Sequence, residues 1–135
     1  MKVLVDTCTL LWMADDAPEL STPARTVVTD PDNDVYLSVA SVWEFAIKHA
    51  LGKLPLPEPP RQFVPAQRML LALTTLPIEE AAVLALDRLP ALHRDPFDRV
   101  LVCQALTHGL VMGVIQSAGL VLTPALCFDF SHALQ

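Results

Sequence analysis

Residues 95–99 read Asp-Pro-Phe-Asp-Arg, and they open the apolar segment that runs from Val100 towards His108. Aspartate is a favoured helix N-cap, and the proline after it suits the first helical position, where an amide would have no intrahelical partner. Asp98 then falls at the third helical position, as the acid of a capping box does. The stretch therefore predicts a helix that begins after Asp95. Taken alone, two acids at a helix start are explained by capping and by the helix dipole, without a metal or a reaction.

The composition indicates a single domain over residues 1–135. The chain has 135 residues, of which 53% are hydrophobic, and this length is typical of one compact domain with a substantial core. Its mean hydropathy is high, +0.43. The least charged region, 100–128, is interrupted by glycines and polar residues, and it falls short of the roughly 18 consecutive apolar residues of a membrane span. The apolar surplus therefore predicts a buried core or a surface covered by a partner.

Charge and cysteine usage exclude several classes of protein. A net charge of −6 argues against broad electrostatic adhesion to nucleic acid, but it does not exclude a nucleic-acid enzyme whose acids bind divalent cations. The three cysteines are far apart and form no C-x-x-C pair, so neither a disulfide framework nor a zinc site is indicated. The apolar run before Asp6 is too short for a secretory signal. We therefore expect a cytoplasmic protein with reduced thiols and no membrane anchor.

Strands and helices are predicted to alternate along the chain. Short β-branched runs at 2–5, 35–39 and 74–76 read as strands, and the segments 21–29, 38–52, 62–73, 77–87 and 96–108 have helical character. The four prolines within 54–60 predict a loop. This alternation is typical of an α/β fold with a mostly parallel sheet.

The helix predicted over 38–52 has an apolar set at helical spacing, which we expect to face the core. Its members are Ala40, Trp43, Ala46, Ile47 and Ala50. Trp12 and Trp43 are accordingly expected in the core rather than as platforms for nucleic-acid bases.

Four acids stand where predicted strands end or predicted helices begin, namely Asp6, Glu44, Asp95 and Asp98. In an open α/β sheet such positions meet along one edge. Carboxylates gathered there repel one another or recruit a cation, and their hard oxygens favour Mg²⁺ or Mn²⁺. A metal held in this way can polarise a phosphoryl group and activate water for phosphodiester hydrolysis. Non-catalytic explanations stand beside this one: the aspartates as caps, and Glu44 as a solvated helical residue.

Three segments of the chain carry a recognisable pattern in order. They are Val5-Asp6-Thr7 with Leu10-Leu11-Trp12, then Ser38-Val39-Ala40-Ser41-Val42-Trp43-Glu44 with Ile47-Lys48 and Gly52-Lys53-Leu54, then His93-Arg94-Asp95-Pro96-Phe97-Asp98-Arg99 with Gln104-Ala105. Over roughly residues 1–110 the chain thereby resembles the PIN-domain ribonuclease toxins of the VapC type.

The resemblance implies a three-layer α/β/α sandwich, RNA cleavage with Mg²⁺ or Mn²⁺, homodimerisation and neutralisation by a VapB-like antitoxin. By motif position it implies that Asp6, Glu44 and Asp98 are catalytic, with Asp6 and Asp98 as metal ligands. Asp95 is an accessory candidate, and Lys48 and Arg99 are candidate RNA-binding residues.

The last quarter of the chain departs from this family pattern. Such proteins usually continue with a strand ending in Thr-x-Asp, whose aspartate joins the site. Here Thr123-Pro124-Ala125 places an alanine at that position, and residues 100–135 contain no lysine or arginine. Residues 111–135 are thus atypical. The departure leaves open an alternative function, a catalytically weakened PIN-like protein that acts mainly by dimerisation or by binding an antitoxin.

Overall fold

The computed structural model describes residues 1–18, 20, 22–89, 95–116 and 119–124, and for 113–116 and 119–124 the description is of the backbone alone. The strands are β1 (Lys2–Val5), β2 (Asp34–Ser38), β3 (Thr74–Leu76), β4 (Val111–Gln116) and β5 (Gly119–Pro124). The helices are α1 (Thr7–Ala14), α2 (Thr22–Thr29), α3 (Val39–Ala50), α4 (Pro60–Leu70), α5 (Glu80–Leu84) and α6 (Pro96–His108). A 3₁₀ turn, Ala85–Arg88, follows α5 directly.

The strands form one sheet in the order β3-β2-β1-β4-β5. β1 lies at its centre and pairs in parallel with β2 and with β4, while β2 pairs in parallel with β3. β5 is antiparallel to β4 and forms the far edge. The parallel strands β1, β2 and β3 thus all end at the same edge of the sheet, which is where α1 and α3 begin.

Helices cover both faces of the sheet, as the alternation of side chains along β1 demonstrates. Val3 and Val5 belong to one core cluster, whereas Leu4 belongs to another. Because successive residues of a strand point to opposite faces, the two clusters lie on opposite sides of the sheet. The first contains side chains of α1, α2, α3 and α4, and the second contains the apolar face of α6. This is a three-layer arrangement, and the predicted α/β/α fold with a mostly parallel sheet is confirmed.

The predicted elements are present, with shifts at their ends. The proline-rich loop lies between α3 and α4, and helix α6 begins at Pro96, as the capping pattern predicts. α6 ends at Gly109, whose φ of +66° is the left-handed conformation that glycine adopts without strain. The helix predicted over 77–87 is shorter than expected, because only Glu80–Leu84 is α-helical before the 3₁₀ turn.

The core face predicted for α3 is wrong. The buried residues of this helix are Ala40, Ser41, Glu44 and Phe45, whereas Trp43 is 56% exposed and both Ala46 and Ala50 are exposed. Phe45 turns into the core and contacts Phe63 with ring centroids 6.2 Å apart. Because Glu44 is buried, the face of α3 that packs on the core differs from the apolar face that the sequence predicts. Trp12, in contrast, is partly buried and packs against the core as expected.

Some sequence expectations fall outside the described residues. His93 and Arg94 of the third motif are among them, as is Ala125 in the atypical tail. Of the cysteines, Cys103 is buried and Cys8 is partly exposed, and both are free thiols. Within the described ranges, no helix combines the length and apolar character needed to cross a membrane.

Candidate active site

Asp6 is the most deeply placed of the four predicted acids. It follows the central strand β1, caps α1 and is only 3% exposed. Its Oδ1 accepts the Thr9 amide at 2.7 Å, whereas its Oδ2 is buried without a hydrogen-bond partner among the described residues. Burial raises the pKa of Asp6 to about 6, against the lowering effect of the Thr9 hydrogen bonds, and the charge of Glu44 adds to the rise. A buried carboxylate oxygen without a donor is costly unless a cation neutralises it.

Glu44 is buried as well, at 5% exposure, which overturns its explanation as a solvated helical residue. Both of its oxygens are held. The Thr7 hydroxyl donates a short hydrogen bond to Oε1, and the Lys48 ammonium donates to Oε2 at 2.5 Å from one turn further along α3. Burial alone would lower the pKa of Lys48, but the hydrogen bond and charge of Glu44 outweigh it and raise that pKa. Glu44 is therefore fixed in position by a neutral donor and a cationic one.

Asp95 and Asp98 occupy the start of α6. Asp95 is exposed and accepts the amides of Phe97 at 2.8 Å and of Asp98 at 3.3 Å, so its predicted capping role is confirmed. Asp98 is partly buried, and burial raises its pKa to about 7. The charges of Asp95, Glu44 and Asp6 contribute to this rise in pKa after burial, and Lys48 opposes them. The side chain of Asp98 thus responds to every other acid of the predicted site.

The four acids meet in one small cleft at the carboxyl edge of the parallel strands. The cleft has a volume of about 50 Å³, and its lining comprises Asp6, Thr7, Cys8, Glu44, Lys48, Asp95 and Asp98. Lys48 therefore lies where the sequence predicts it. Arg99 does not line the cleft, because its Nη2 donates to the carbonyl oxygen of Leu86 at 3.1 Å.

Two lining residues were not assigned a role from sequence. The Thr7 hydroxyl orients Glu44 across 37 positions of sequence, and only its adjacency to Asp6 could have drawn attention to it. Burial, with the charges of Asp6 and Glu44, raises the pKa of the Cys8 thiol to about 11. That thiol therefore stays protonated at neutral pH and is no nucleophile.

The donor chemistry of the cleft fits a hard divalent cation, with a restriction on which acids share it. Among the described residues, no three His, Cys, Asp or Glu side chains are placed to hold one ion together. Mg²⁺ is commonly held by only one or two carboxylates, with waters and phosphate oxygens completing its shell. The unpartnered Oδ2 of Asp6 supplies one such carboxylate. Glu44 is already engaged by Thr7 and Lys48, which leaves Asp98 as the second.

A larger cavity of about 450 Å³ lies at the opposite edge of the sheet. It is lined by residues from the polar turn before β2 and from the end of α4, among them Asp30, Asp34 and Leu70. These acids lie at the amino ends of parallel strands, away from the α/β edge where ligands bind. The chemistry therefore concentrates in the smaller cleft.

Comparison with known proteins agrees with this geometry. The family model described as the PIN domain matches residues 3–119. Ribonuclease VapC16 of Mycobacterium tuberculosis (strain ATCC 25618 / H37Rv) is 42% identical over 57 residues, which cover 42% of this chain and 40% of that protein. The aligned stretch thus spans less than half the length of this curated relative.

Three solved structures share the fold at low sequence identity. VapBC-1 from nontypeable Haemophilus influenzae has a TM-score of 0.54 at 20% identity, covering 83% of this chain and 84% of that one. VapBC2 from Rickettsia felis, bound to a DNA fragment from its promoter, has a TM-score of 0.60 at 12% identity, covering 83% and 86%. FitAB bound to an IR36 DNA fragment has a TM-score of 0.58 at 18% identity, covering 94% and 98%.

Proposed function

This chain belongs to the PIN-domain family, and from that premise we propose that it is a Mg²⁺- or Mn²⁺-dependent endoribonuclease, the toxin of a VapBC-type pair. The similarity of one stretch to a ribonuclease named VapC16 supports the activity, and the fold shared with VapBC complexes supports the pairing with an antitoxin. The same comparisons motivate a VapB-like antitoxin as partner, and the family resemblance implies a homodimer that acts in the cytoplasm.

The observation that carries the proposal is the unpartnered Oδ2 of the buried Asp6 in a cleft that also holds Asp98. Folding places this carboxylate where burial penalises its charge. A bound cation would neutralise the penalty and use the free oxygen, which supports a metal ion as the missing partner of Asp6. Asp6 and Asp98 would hold the ion. When bound, such an ion polarises a phosphoryl oxygen and lowers the pKa of water.

The remaining cleft residues have separate tasks in this proposal. Glu44 orients the attacking water and receives its proton, since each carboxylate oxygen keeps a second lone pair beyond the bond from Thr7 or Lys48. The Lys48 side chain is 43% exposed, so in this proposal its ammonium also donates to a phosphate oxygen of RNA. Asp95 acts indirectly, because it caps α6 and because its charge raises the pKa of Asp98.

The cleft also motivates a second candidate function, a catalytically weakened protein that mainly binds its partners. The motivating observation is that the described residues contain no group of three acids placed to share a metal ion. In that case the acids would share one cleft without holding a metal ion, and the protein would act through its binding surfaces.

Cleavage of RNA by the purified protein separates the two candidates. We expect single-stranded RNA to be cut with Mg²⁺ or Mn²⁺ and left intact with EDTA, and expression without an antitoxin to arrest growth. Asp6→Asn should abolish both effects. The matched control is Asp32→Asn, which changes an exposed acid in the polar turn before β2. If a correctly folded protein leaves RNA intact under all metal conditions, the ribonuclease proposal is rejected and the binding function remains.

A further inference from the structure

An aromatic pair, in which Trp43 is exposed and Phe97 is partly buried, lies beside the acidic cleft. The ring centroids of Trp43 and Phe97 are 5.0 Å apart, and the ring planes meet at 80°. Trp43 directly precedes Glu44 on α3, and Phe97 directly precedes Asp98 in the first turn of α6. Both acids line the cleft. The two rings are thus anchored one residue away from two of the acids that the proposed reaction uses.

The exposure of Trp43 has no explanation in the packing of the fold. Trp43 leaves 56% of its surface in solvent, whereas Phe45 on the same helix is fully buried in the core. Burying an indole would contribute more hydrophobic stabilisation than almost any other side chain. Of the large hydrophobic side chains exposed in the described part of the chain, Trp43 is the one aromatic. The two rings meet in an edge-type contact, and more than half of the Trp43 surface remains in solvent.

The two most exposed apolar side chains of the described residues lie away from the acids. Met69 and Leu70 are the most exposed large hydrophobic residues described. They end α4 just before β3, which places them at the edge of the sheet opposite to the cleft. The aromatic pair, in contrast, shares the carboxyl edge of the strands with Asp6.

The surroundings of the pair match the chemistry of single-stranded RNA. Every nucleobase has a π-face that stacks on an exposed indole, but only an unpaired base can reach it. Lys48, one turn from Glu44, offers a partly exposed ammonium to a neighbouring phosphate. The chain carries a net charge of −6, so long-range electrostatics supply little affinity for RNA. Stacking is an attraction that this charge does not weaken.

We propose that Trp43, supported by Phe97, is a stacking platform that holds one unpaired base of single-stranded RNA beside the phosphate to be cleaved. The proposal rests on the ribonuclease function proposed above and adds to it a substrate class, RNA with an unstacked base next to the cut. An exposed tryptophan is also a common anchor of protein interfaces, and that role is an outcome of the test below.

Fluorescence can isolate Trp43, because the chain has only two tryptophans. Trp12→Phe makes Trp43 the sole tryptophan, and Asp6→Asn in the same chain prevents cleavage during the titration. A short single-stranded RNA should quench this emission, while a matched strand carrying abasic sites should quench it far less. By direct binding, Trp43→Ala should weaken RNA affinity about tenfold or more, within the range of one lost base stack. Trp43→Phe should keep most of the affinity, and Met69→Ala should change nothing.

Three outcomes overturn the platform. The first is equal quenching by the abasic strand. The second is unchanged RNA affinity in a Trp43→Ala protein whose circular dichroism and melting temperature match those of the parent. The third is a loss of dimer or antitoxin binding in Trp43→Ala while its RNA affinity is unchanged. The last would assign the indole to a protein interface. The ribonuclease proposal is tested separately, by measuring metal-dependent RNA cleavage by the unsubstituted chain, and it fails if no such cleavage occurs. Base-dependent quenching without any cleavage would support the stacking of RNA bases on Trp43 and would reject the ribonuclease activity.

Discussion

Helices α1 and α6 both begin with an aspartate cap at the cleft, yet the two helix starts differ in what surrounds them. Asp6 follows the central strand and is almost fully buried, with one carboxylate oxygen bonded and the other without a described partner. Asp95 is exposed, and its Oδ1 accepts two amides. The same residue type in the same capping position thus keeps a buried oxygen without a described partner at α1, whereas at α6 the carboxylate accepts two amides and is open to solvent.

The positions after each cap differ as well. At the first helical position α1 has Thr7, whose hydroxyl reaches Glu44, whereas α6 has Pro96, which has no donor. At the third position α1 has Thr9, which supplies its amide to Asp6, whereas α6 has the partly buried Asp98. Capping therefore fixes the position of each acid in the fold, whereas burial determines its pKa and so its reactivity.

The largest expected effect comes from replacing each cap by asparagine, which caps a helix about as well as aspartate. Asp6→Asn should lower RNA cleavage on the order of 100-fold or more, since it removes the charge of a proposed metal ligand. Asp95→Asn should lower it far less, and neither helix should unravel. Rates under saturating Mn²⁺, with circular dichroism for helix content, check the comparison. Equal losses in the two variants would contradict it.

The first helical positions provide the next test. Thr7→Val keeps the shape of the side chain but removes the donor to Glu44, so kcat should fall roughly tenfold to 100-fold, less than the loss of a whole general base would cost. Thr7→Ser should restore most of the rate because it restores the hydroxyl. If Thr7→Val raises KM and leaves kcat unchanged, the hydroxyl does not act by positioning Glu44.

The buried acid of α6 makes stability depend on pH. The pKa of Asp98 is raised from 3.8 to about 7 in the folded chain, so folding takes up a proton between these values. The metal-free protein should therefore lose stability as pH rises from about 4 to about 7, by roughly 1–2 kcal/mol once solvent screening is allowed for. Asp98→Asn should remove this contribution and be the more stable form at pH 8 but not at pH 4. Urea unfolding in EDTA at both pH values measures the difference, and an unchanged pH dependence would contradict it.

The smallest effect concerns the exposed cap alone. Asp95→Ala should destabilise the protein by about 1 kcal/mol, a typical cost of a lost N-cap, while Asp95→Asn should be nearly neutral. Urea denaturation midpoints for the two variants test this. Equal midpoints would mean that the amides of Phe97 and Asp98 form hydrogen bonds with water as favourably as with Asp95.

Much of this architecture is readable from the chain without coordinates. The alternation of apolar runs and helical segments predicts the parallel sheet, and the cap at Asp95 predicts the start of α6 to the residue. The same rules fail for α3, where the apolar residues at helical spacing include the exposed Trp43 and leave out the buried Glu44. Periodicity gives the existence of an amphipathic face, but a buried polar residue makes the observed face differ from the apolar one.

What the sequence by itself determined is local: which segments become strands and helices, which acids stand at their ends, and which family the motifs resemble. These follow from capping, turn chemistry and periodicity, which act over a few residues. Only the tertiary structure decided that Asp6 and Glu44 are buried, that Thr7 and Lys48 hold Glu44, that Arg99 bonds Leu86 away from the cleft, and that Trp43 stays in solvent beside the acids. Burial and contact depend on how helices from distant parts of the chain pack on one sheet. The charge state and the chemistry of each acid depend on that packing.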